Sequence, residues 1–311
     1  MNSVITFVLT RNRKELLRRC LTSILNQTLV PNKIIVLNNA STDDTSDMLK
    51  EFPSIVTEIY LQENIGGAAG FSYGIEICSK EDFDFIWVMD DDGYPKEDAL
   101  QKLIEGFNEL NNINVGVLNS IVIDPVSDEF TFGLWESHKN GRLNKLYNNF
   151  NELPSILEHN NFFFGWANLF NGTLIKNNII KEIGLPDKRY FFRGDEVDYM
   201  QRIKKKFDVV TVLNSLHFHP TPLVIEPKGW RIYYYNRNDT INDIKYYKKS
   251  LVYVVKVLMK IFYNIYLYNK SKYLNKNDEL NIKAKLSGLI DGVTLNLEKK
   301  HIEIEKKYPL D

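Results

Sequence analysis

Asp90-Asp91-Asp92 is the densest group of reactive side chains in the sequence, and it ends an apolar run, Phe85-Ile86-Trp87-Val88-Met89. Three adjacent carboxylates repel one another unless a cation or a donor-rich ligand lies between them. The carboxyl end of a strand in a parallel α/β sheet is also where ligands bind. A hard divalent cation, Mg²⁺ or Mn²⁺, carrying a phosphate-containing substrate suits such a place. The competing reading is a solvated acidic turn, since Asp, Gly and Pro are ordinary turn residues. A calcium loop is excluded. Counted from Asp90, Pro95 stands where the sharp turn needs Gly and Gln101 where a bidentate Glu is needed.

Four further groups could carry chemistry. Gly66, Gly67 and Gly70 would let a phosphate or sugar approach backbone N–H groups at a helix N-terminus. A dinucleotide fingerprint fails because Ile65 occupies the first glycine's place. Asp195, Glu196 and Asp198 fall in the first turn of a helix expected to start near Asp195, where the dipole favours carboxylates, as it would on any solvated helix. His217 and His219 alternate along a strand and therefore point to the same side. The aromatic run Phe162-Phe163-Phe164-Gly165-Trp166 reads either as core or as a platform for a sugar, with Trp166 the stacking ring.

The elements that must position these groups alternate. Val4 to Leu9, Lys33 to Leu37, Ile55 to Leu61 and the run from Phe85 read as strands, with helical spacing through Leu16–Leu25 and through Ala68, Phe71, Ile75 and Cys78. Ser41 with Asp44 three residues on is expected to cap the helix after the second strand. Gly93 and Pro95 are expected to turn the chain into a helix, with Pro95 near its first turn. A fifth strand follows at Val115–Ile123, a mobile excursion from Ser137 to Asn161, and a short strand at Val209–Leu213. The alternation predicts an α/β fold with a mostly parallel central sheet flanked by helices.

A chain of 311 residues can bury a full core, and its net charge of −1 gives no sign of a nucleic-acid partner. Cys20 and Cys78 fall on apolar helix faces and read as buried thiols of a reducing compartment. No basic-then-apolar signal pattern opens the sequence, so a cytoplasmic protein is expected.

The order of a strand, Asn39-Ala40-Ser41-Thr42-Asp43, then Asn64-Ile65-Gly66-Gly67-Ala68-Ala69-Gly70-Phe71, then the triple Asp resembles the inverting glycosyltransferases of family 2. The glycine-rich segment with the triple Asp is most similar to their galactofuranosyltransferases and some rhamnosyltransferases. The resemblance implies the nucleotide-diphospho-sugar transferase (GT-A) fold. It implies that Thr10, Arg11 and Asn38 hold the nucleoside, with Asn64, Gly66, Gly67 and Asp91 also facing the donor. Asp90 and Asp92 would bear the metal. Many relatives carry Asp at the place of Asn38; an amide both donates and accepts, so it can still pair with a pyrimidine edge. Arg193-Gly194-Asp195-Glu196-Val197-Asp198-Tyr199 matches the acidic acceptor motif, which makes Glu196 the general base and gives Asp195 and Asp198 the acceptor hydroxyls. The His before a Pro-containing turn completes the metal site, favouring His219 over His217.

The expected organisation is a catalytic unit over residues 1–222, its donor half to about 124 and its acceptor half from 125, followed by a C-terminal helical region, 223–311. Tyr233-Tyr234-Tyr235-Asn236-Arg237-Asn238 repeats a Tyr-Tyr-x-x-Arg-Asn pattern of the same glycosyltransferases. Leu251–Tyr268 is apolar but for Lys256, Lys260 and Asn264, and two lysines argue against spanning a bilayer. Between Lys245 and Lys272 there is no acidic residue, which reads as a surface for anionic membrane, for packing on the catalytic unit, or for a homo-oligomer interface. The closing segment is expected as one polar helix, Glu279 to about Lys300, with no chemistry assigned. The expected activity is transfer of galactofuranose from UDP-galactofuranose to a glycan acceptor, lipid-linked as such acceptors commonly are, in bacterial surface-polysaccharide assembly at the inner face of the cell membrane. The alternatives are a dTDP-rhamnose donor, a non-catalytic membrane scaffold with a degenerate site, and a nucleotidyltransferase.

Overall fold

The structure, a computed structural model, describes residues 2–137, 143–153, 161–222, 226–247, 251–271 and 276–310. Its first half is the expected alternation: β1 (Val4–Thr10), α1 (Lys14–Leu25), β2 (Lys33–Asn38), α2 (Thr45–Leu49), β3 (Val56–Tyr60), α3 (Gly67–Ser79) and β4 (Phe85–Asp90). After these come β5 (Tyr94–Pro95), α4 (Ala99–Glu109), β6 (Val115–Ile123), the ribbon of β7 (Leu134–Ser137) and β8 (Leu143–Tyr147), and β9 (Phe162–Phe164). Next are β10 (Asn171–Lys176), α5 (Ile180–Ile183), α6 (Asp195–Ile203) and β11 (Asp208–Phe218), and α7 (Trp230–Asn242) to α10 (His301–Lys307) close the chain.

The main sheet runs β3-β2-β1-β4-β10-β6-β11-β5, with β9 on β11. Strands β1 to β4 are mutually parallel, β11 is parallel to β6, and β10 enters antiparallel between β4 and β6. Strand alternation divides the core in two. Ile5, Phe7 and Leu9 meet Phe71 and Ile75 of α3 on one face, while Val4 and Val8 meet Leu17, Leu21 and Ile24 of α1 on the other. Cys20 and Cys78 are free and buried, as expected.

Several local expectations are corrected. Pro95 does not open a helix: Tyr94 and Pro95 pair with Phe218 and His217, and α4 starts at Ala99. Pairing on β11 supplies a strand partner that the local pattern could not show. Ser41 does not cap α2; its hydroxyl accepts from the Asn12 N–H, and Asp43 takes the Thr45 N–H instead. Part of the predicted excursion is ordered as β8, antiparallel to β7; residues 138–142 and 154–160 lie outside the described residues, as do Lys248, Lys249 and Lys272. The strand at Val209 runs on to Phe218, because a register shift between Val212 and Leu216 lets it stay paired with β6. The closing segment is two helices, α9 (Lys276–Val293) and α10, separated at Leu295 with φ +54°.

The C-terminal helices are built on close contact. Gly288 of α9 lies against the backbone of α7, where a Cβ would sit 2.4 Å from the Tyr233 carbonyl oxygen. Helix α8 (Leu251–Ser271) packs on α9 and turns most of its surface outward.

Candidate active site

Strand order reverses at β1, so the crevice beyond the carboxyl ends of β1 and β4 is a topological switch point. Leu9 stands in register with Asp90, which brings Thr10 and Arg11 beside the triple Asp. The three carboxylates part. Asp91, 1% exposed, accepts from the Thr10 hydroxyl at 2.6 Å and from Arg13 Nη1 at 3.0 Å. The same Arg13 nitrogen reaches Asp92 Oδ2 at 2.7 Å. The Asp91 N–H donates to Asp90 Oδ1 at 3.0 Å.

His219 comes to one member of this group: its Nε2 lies 3.1 Å from Asp92 Oδ1. Its Nδ1 stands 2.7 Å from the Pro220 carbonyl, which can only accept, so Nδ1 carries a proton and donates. In the neutral ring Nε2 then offers a lone pair, and two acceptors that close need a proton or a cation between them. One oxygen from each of Asp90, Asp91 and Asp92 lies within 4.8 Å of the others. Hard carboxylates with one imidazole could hold a divalent cation, so the residues fit. Burial, then Asp91 and Asp92, push the Asp90 carboxyl well above the usual range. Burial also opposes ionisation of Asp92, but His219 and Arg13 outweigh it and hold that carboxyl at about 2. His217 does not join them. It is fully buried against Gly93 and Gly172, and burial holds it at about 3.

Two cavities meet at this point. One, of about 420 Å³, is lined by Thr10, Arg11, Asn64, Gly66, Gly67 and Asp91 among others. The other, of about 500 Å³, is lined by Trp166, Asp195, Glu196 and His219 with surrounding apolar groups. Asp90, Gly67 and Phe192 border both. Side chains more than a hundred residues apart in sequence thus surround one junction.

Helix α6 delivers its acids in different directions. Glu196 faces the larger cavity and accepts the Gly194 N–H at 2.7 Å, which fixes its carboxylate. Asp195 is 4% exposed, and burial, then the Glu196 charge, push its carboxyl well above the usual range. A neutral acid beside a carboxylate is a hydrogen-bond donor, an arrangement suited to orienting hydroxyls. Asp198 does not reach the cavity. It is 2% exposed and accepts from Arg202 Nε at 2.9 Å, Lys245 Nζ at 3.1 Å and the Tyr246 hydroxyl at 2.7 Å, which ties α6 to the C-terminal helices. Trp166 lines the wall, 8% exposed, its indole N–H donating to Asn168 Oδ1 at 3.1 Å.

Asn38 is the other departure. It is fully buried, its Nδ2 donating to Glu58 at 2.8 Å and to Ser46 at 3.1 Å while its Oδ1 accepts the Ser41 N–H at 2.9 Å. The neighbouring Asn39 lines the smaller cavity instead, accepting the Ile65 N–H at 2.9 Å. Sequence reasoning also missed Arg13, for which the loop Thr10-Arg11-Asn12-Arg13 was the available signal. It missed Phe191, Arg231, His301 and Glu305 on the same wall, which no local pattern could reveal. The His301 ring stacks on Phe191 at 3.6 Å between centroids, bringing α10 to the site.

An open, mostly parallel sheet with this crevice, and a second acidic helix across it, is the GT-A arrangement of a glycosyltransferase. The profile of glycosyl transferase family 2 matches residues 5–168, and the chain belongs to that inverting family. Among curated proteins it is 28% identical over 219 residues to galactofuranosyltransferase GlfT1 of Mycolicibacterium smegmatis, covering 70% of each chain. It is 29% identical over 227 residues to galactofuranosyltransferase GlfT1 of Mycobacterium tuberculosis, again covering 70% of each. Among solved structures it resembles S. aureus TarS, with a TM-score of 0.56 at 12% identity over 95% of this chain and 50% of that one. That likeness bears on the fold alone.

The enclosure of Asn38 gives a test. Asn38→Asp should set a carboxylate against Glu58 and destabilise the protein at neutral pH by about 1–3 kcal/mol. Because the added carboxyl is driven up in the folded state, the loss should shrink as pH falls toward 5. Urea unfolding at both pH values measures this. Unchanged stability at neutral pH would show that Asn38 is free.

Proposed function

We propose that the protein transfers galactofuranose from UDP-galactofuranose to a glycan acceptor in the assembly of a bacterial surface polysaccharide. The observation that carries this reading is the bordering of both cavities by Asp90, with the donor-side residues Thr10, Arg11, Asn64, Gly66, Gly67 and Asp91 on one side and Glu196 on the other. The likeness to the two mycobacterial galactofuranosyltransferases supports galactofuranose as the sugar. Asp90, Asp92 and His219 would hold Mn²⁺ or Mg²⁺, which supplies positive charge to a departing diphosphate. The donor cleft is built mainly from residues before about 124, with Arg231, His301 and Glu305 of the C-terminal region completing its wall.

Glu196 takes the proton of the acceptor hydroxyl as that oxygen attacks the anomeric carbon. The new C–O bond forms on the face opposite the nucleotide while the bond to the diphosphate breaks, and UDP leaves. One displacement inverts the configuration, so no enzyme nucleophile is required. Asp195 donates to an acceptor oxygen, and Trp166 offers a ring for sugar stacking. Asp198 acts through α6 by anchoring it.

The outward face of α8 extends the reading to location. Leu251 is 79%, Val252 65%, Phe262 69% and Tyr263 60% exposed, and an apolar 18-residue window of this helix is 11% buried. With no acid between Lys245 and Lys272, the helix lies on the anionic inner face of the cell membrane and brings the site to a lipid-linked acceptor.

Two outcomes are expected. Glu196→Gln should lower transfer by about 10²–10⁴-fold while leaving UDP-galactofuranose affinity unchanged within about twofold. UDP should raise the melting temperature more than dTDP does. Wild-type turnover in the variant would remove Glu196 as base, and stronger stabilisation by dTDP would point to a rhamnose donor. The wild-type protein should also sediment with phosphatidylglycerol vesicles and not with phosphatidylcholine ones, and Val255→Glu with Phe262→Glu should abolish this. Sedimentation that is unchanged in the double variant would contradict the membrane assignment.

A further inference from the structure

The loop that enters α6 has an unusual backbone. Phe191, Arg193 and Gly194 all have positive φ, +63°, +46° and +90°. Such a path turns most of its peptide carbonyls off the regular helix and sheet ladders, although that of Gly194 also accepts the Asp198 N–H of α6 at 3.1 Å and that of Tyr190 the Phe192 N–H at 2.8 Å. Helix α7 takes up nearly all of them. Arg237 Nη2 donates to the carbonyls of Arg189 at 3.0 Å and Tyr190 at 2.9 Å. Asn238 Nδ2 reaches those of Phe192 at 2.9 Å, Arg193 at 2.8 Å and, more weakly, Tyr190 at 3.2 Å. Asn242 Nδ2 donates to Gly194 at 2.8 Å, and its Oδ1 accepts the Tyr190 hydroxyl at 2.7 Å. The remaining carbonyl, of Phe191, accepts the Ala68 N–H of α3 at 3.3 Å.

The donors are themselves locked. Arg237 and Asn238 are both fully buried, with Arg237 Nε donating to Asn238 Oδ1 at 2.8 Å. The Arg237 guanidinium lies 5.4 and 4.8 Å from the ring centroids of Tyr233 and Tyr234. This cation meets rings, an amide and peptide carbonyls, and the Tyr-Tyr-x-x-Arg-Asn pattern thereby acquires a physical role.

What the loop carries is the site. Phe191 packs so tightly on the donor side that a Cβ at Gly66 would lie 2.5 Å from its ring. Phe192 borders both cavities, and the Gly194 N–H holds the Glu196 carboxylate. We infer that Arg237, Asn238 and Asn242 are positioning residues for transfer: they hold the 189–194 loop in its left-handed path and so set Glu196 at a fixed place relative to the donor turn. This rests on Glu196 as the base.

The test is a double-mutant cycle on the full chain. Asn238→Asp keeps the size and replaces the donor with an acceptor facing carbonyls. It should lower kcat by about tenfold or more while the donor dissociation constant stays within about twofold, and it should cause no further loss in the Glu196→Gln background. Equal losses in both backgrounds, or wild-type kcat in the folded variant, would overturn the positioning role. Wild-type turnover in Glu196→Gln alone would remove the base and the inference with it. If Asn238→Asp does not fold, Asn242→Ser, which removes the side-chain donor to the Gly194 carbonyl, is read by the same cycle and the same outcomes.

Discussion

Three consecutive carboxylates at the end of a buried strand set the terms for the rest of the molecule. Ionised groups cannot be withdrawn from water without partners, and like charges side by side make the withdrawal costlier. The fold answers by giving each a different environment. Asp91 turns inward to Thr10 and Arg13, Asp92 reaches His219 from the far end of β11, and Asp90 borders both cavities. The crossing of β11 beside β6, the short pairing of β5 and the loop holding Arg13 are all arranged about that division.

The opposite wall is built at a cost. Non-glycine residues in left-handed conformations cost about 1–3 kcal/mol each and persist only where their surroundings over-determine them. Here the surroundings are α7 and the glycine turn of α3. The C-terminal helices therefore buttress this wall: α7 holds the loop, Lys245 and Tyr246 hold Asp198 of α6, and His301 of α10 stacks on Phe191. Among the described residues, the outward face of α8 in this region is apolar and exposed.

The strands and helices of the first half were legible because buried parallel strands produce short apolar runs whose ends are polar. Motif spacing singled out Asp90, Asp92, Glu196 and His219, each at the end of an element, and the structure sets Asp90, Glu196 and His219 around one cavity with Asp92 against His219. What escaped was long-range. Nothing local at Pro95 reveals β11 as its partner, and nothing near His301 reveals Phe191. Asn38 and Asp198 stand at motif positions, yet both are enclosed by side chains, from Glu58 in one case and from Lys245 and Tyr246 in the other. A motif reports where a residue sits along an element, whereas its orientation depends on what packs against it.

The central claim is that the Asp90 and Asp92 carboxylates and His219 hold one divalent cation where donor and acceptor meet. Pulsed electron paramagnetic resonance of Mn²⁺ with the protein and UDP addresses it most directly. The expected spectrum shows nitrogen coupling from one imidazole together with phosphorus coupling from the diphosphate, and the nitrogen signal disappears in His219→Phe. Mn²⁺ that binds with phosphorus coupling but without imidazole nitrogen, or whose nitrogen signal survives the loss of His219, would contradict it.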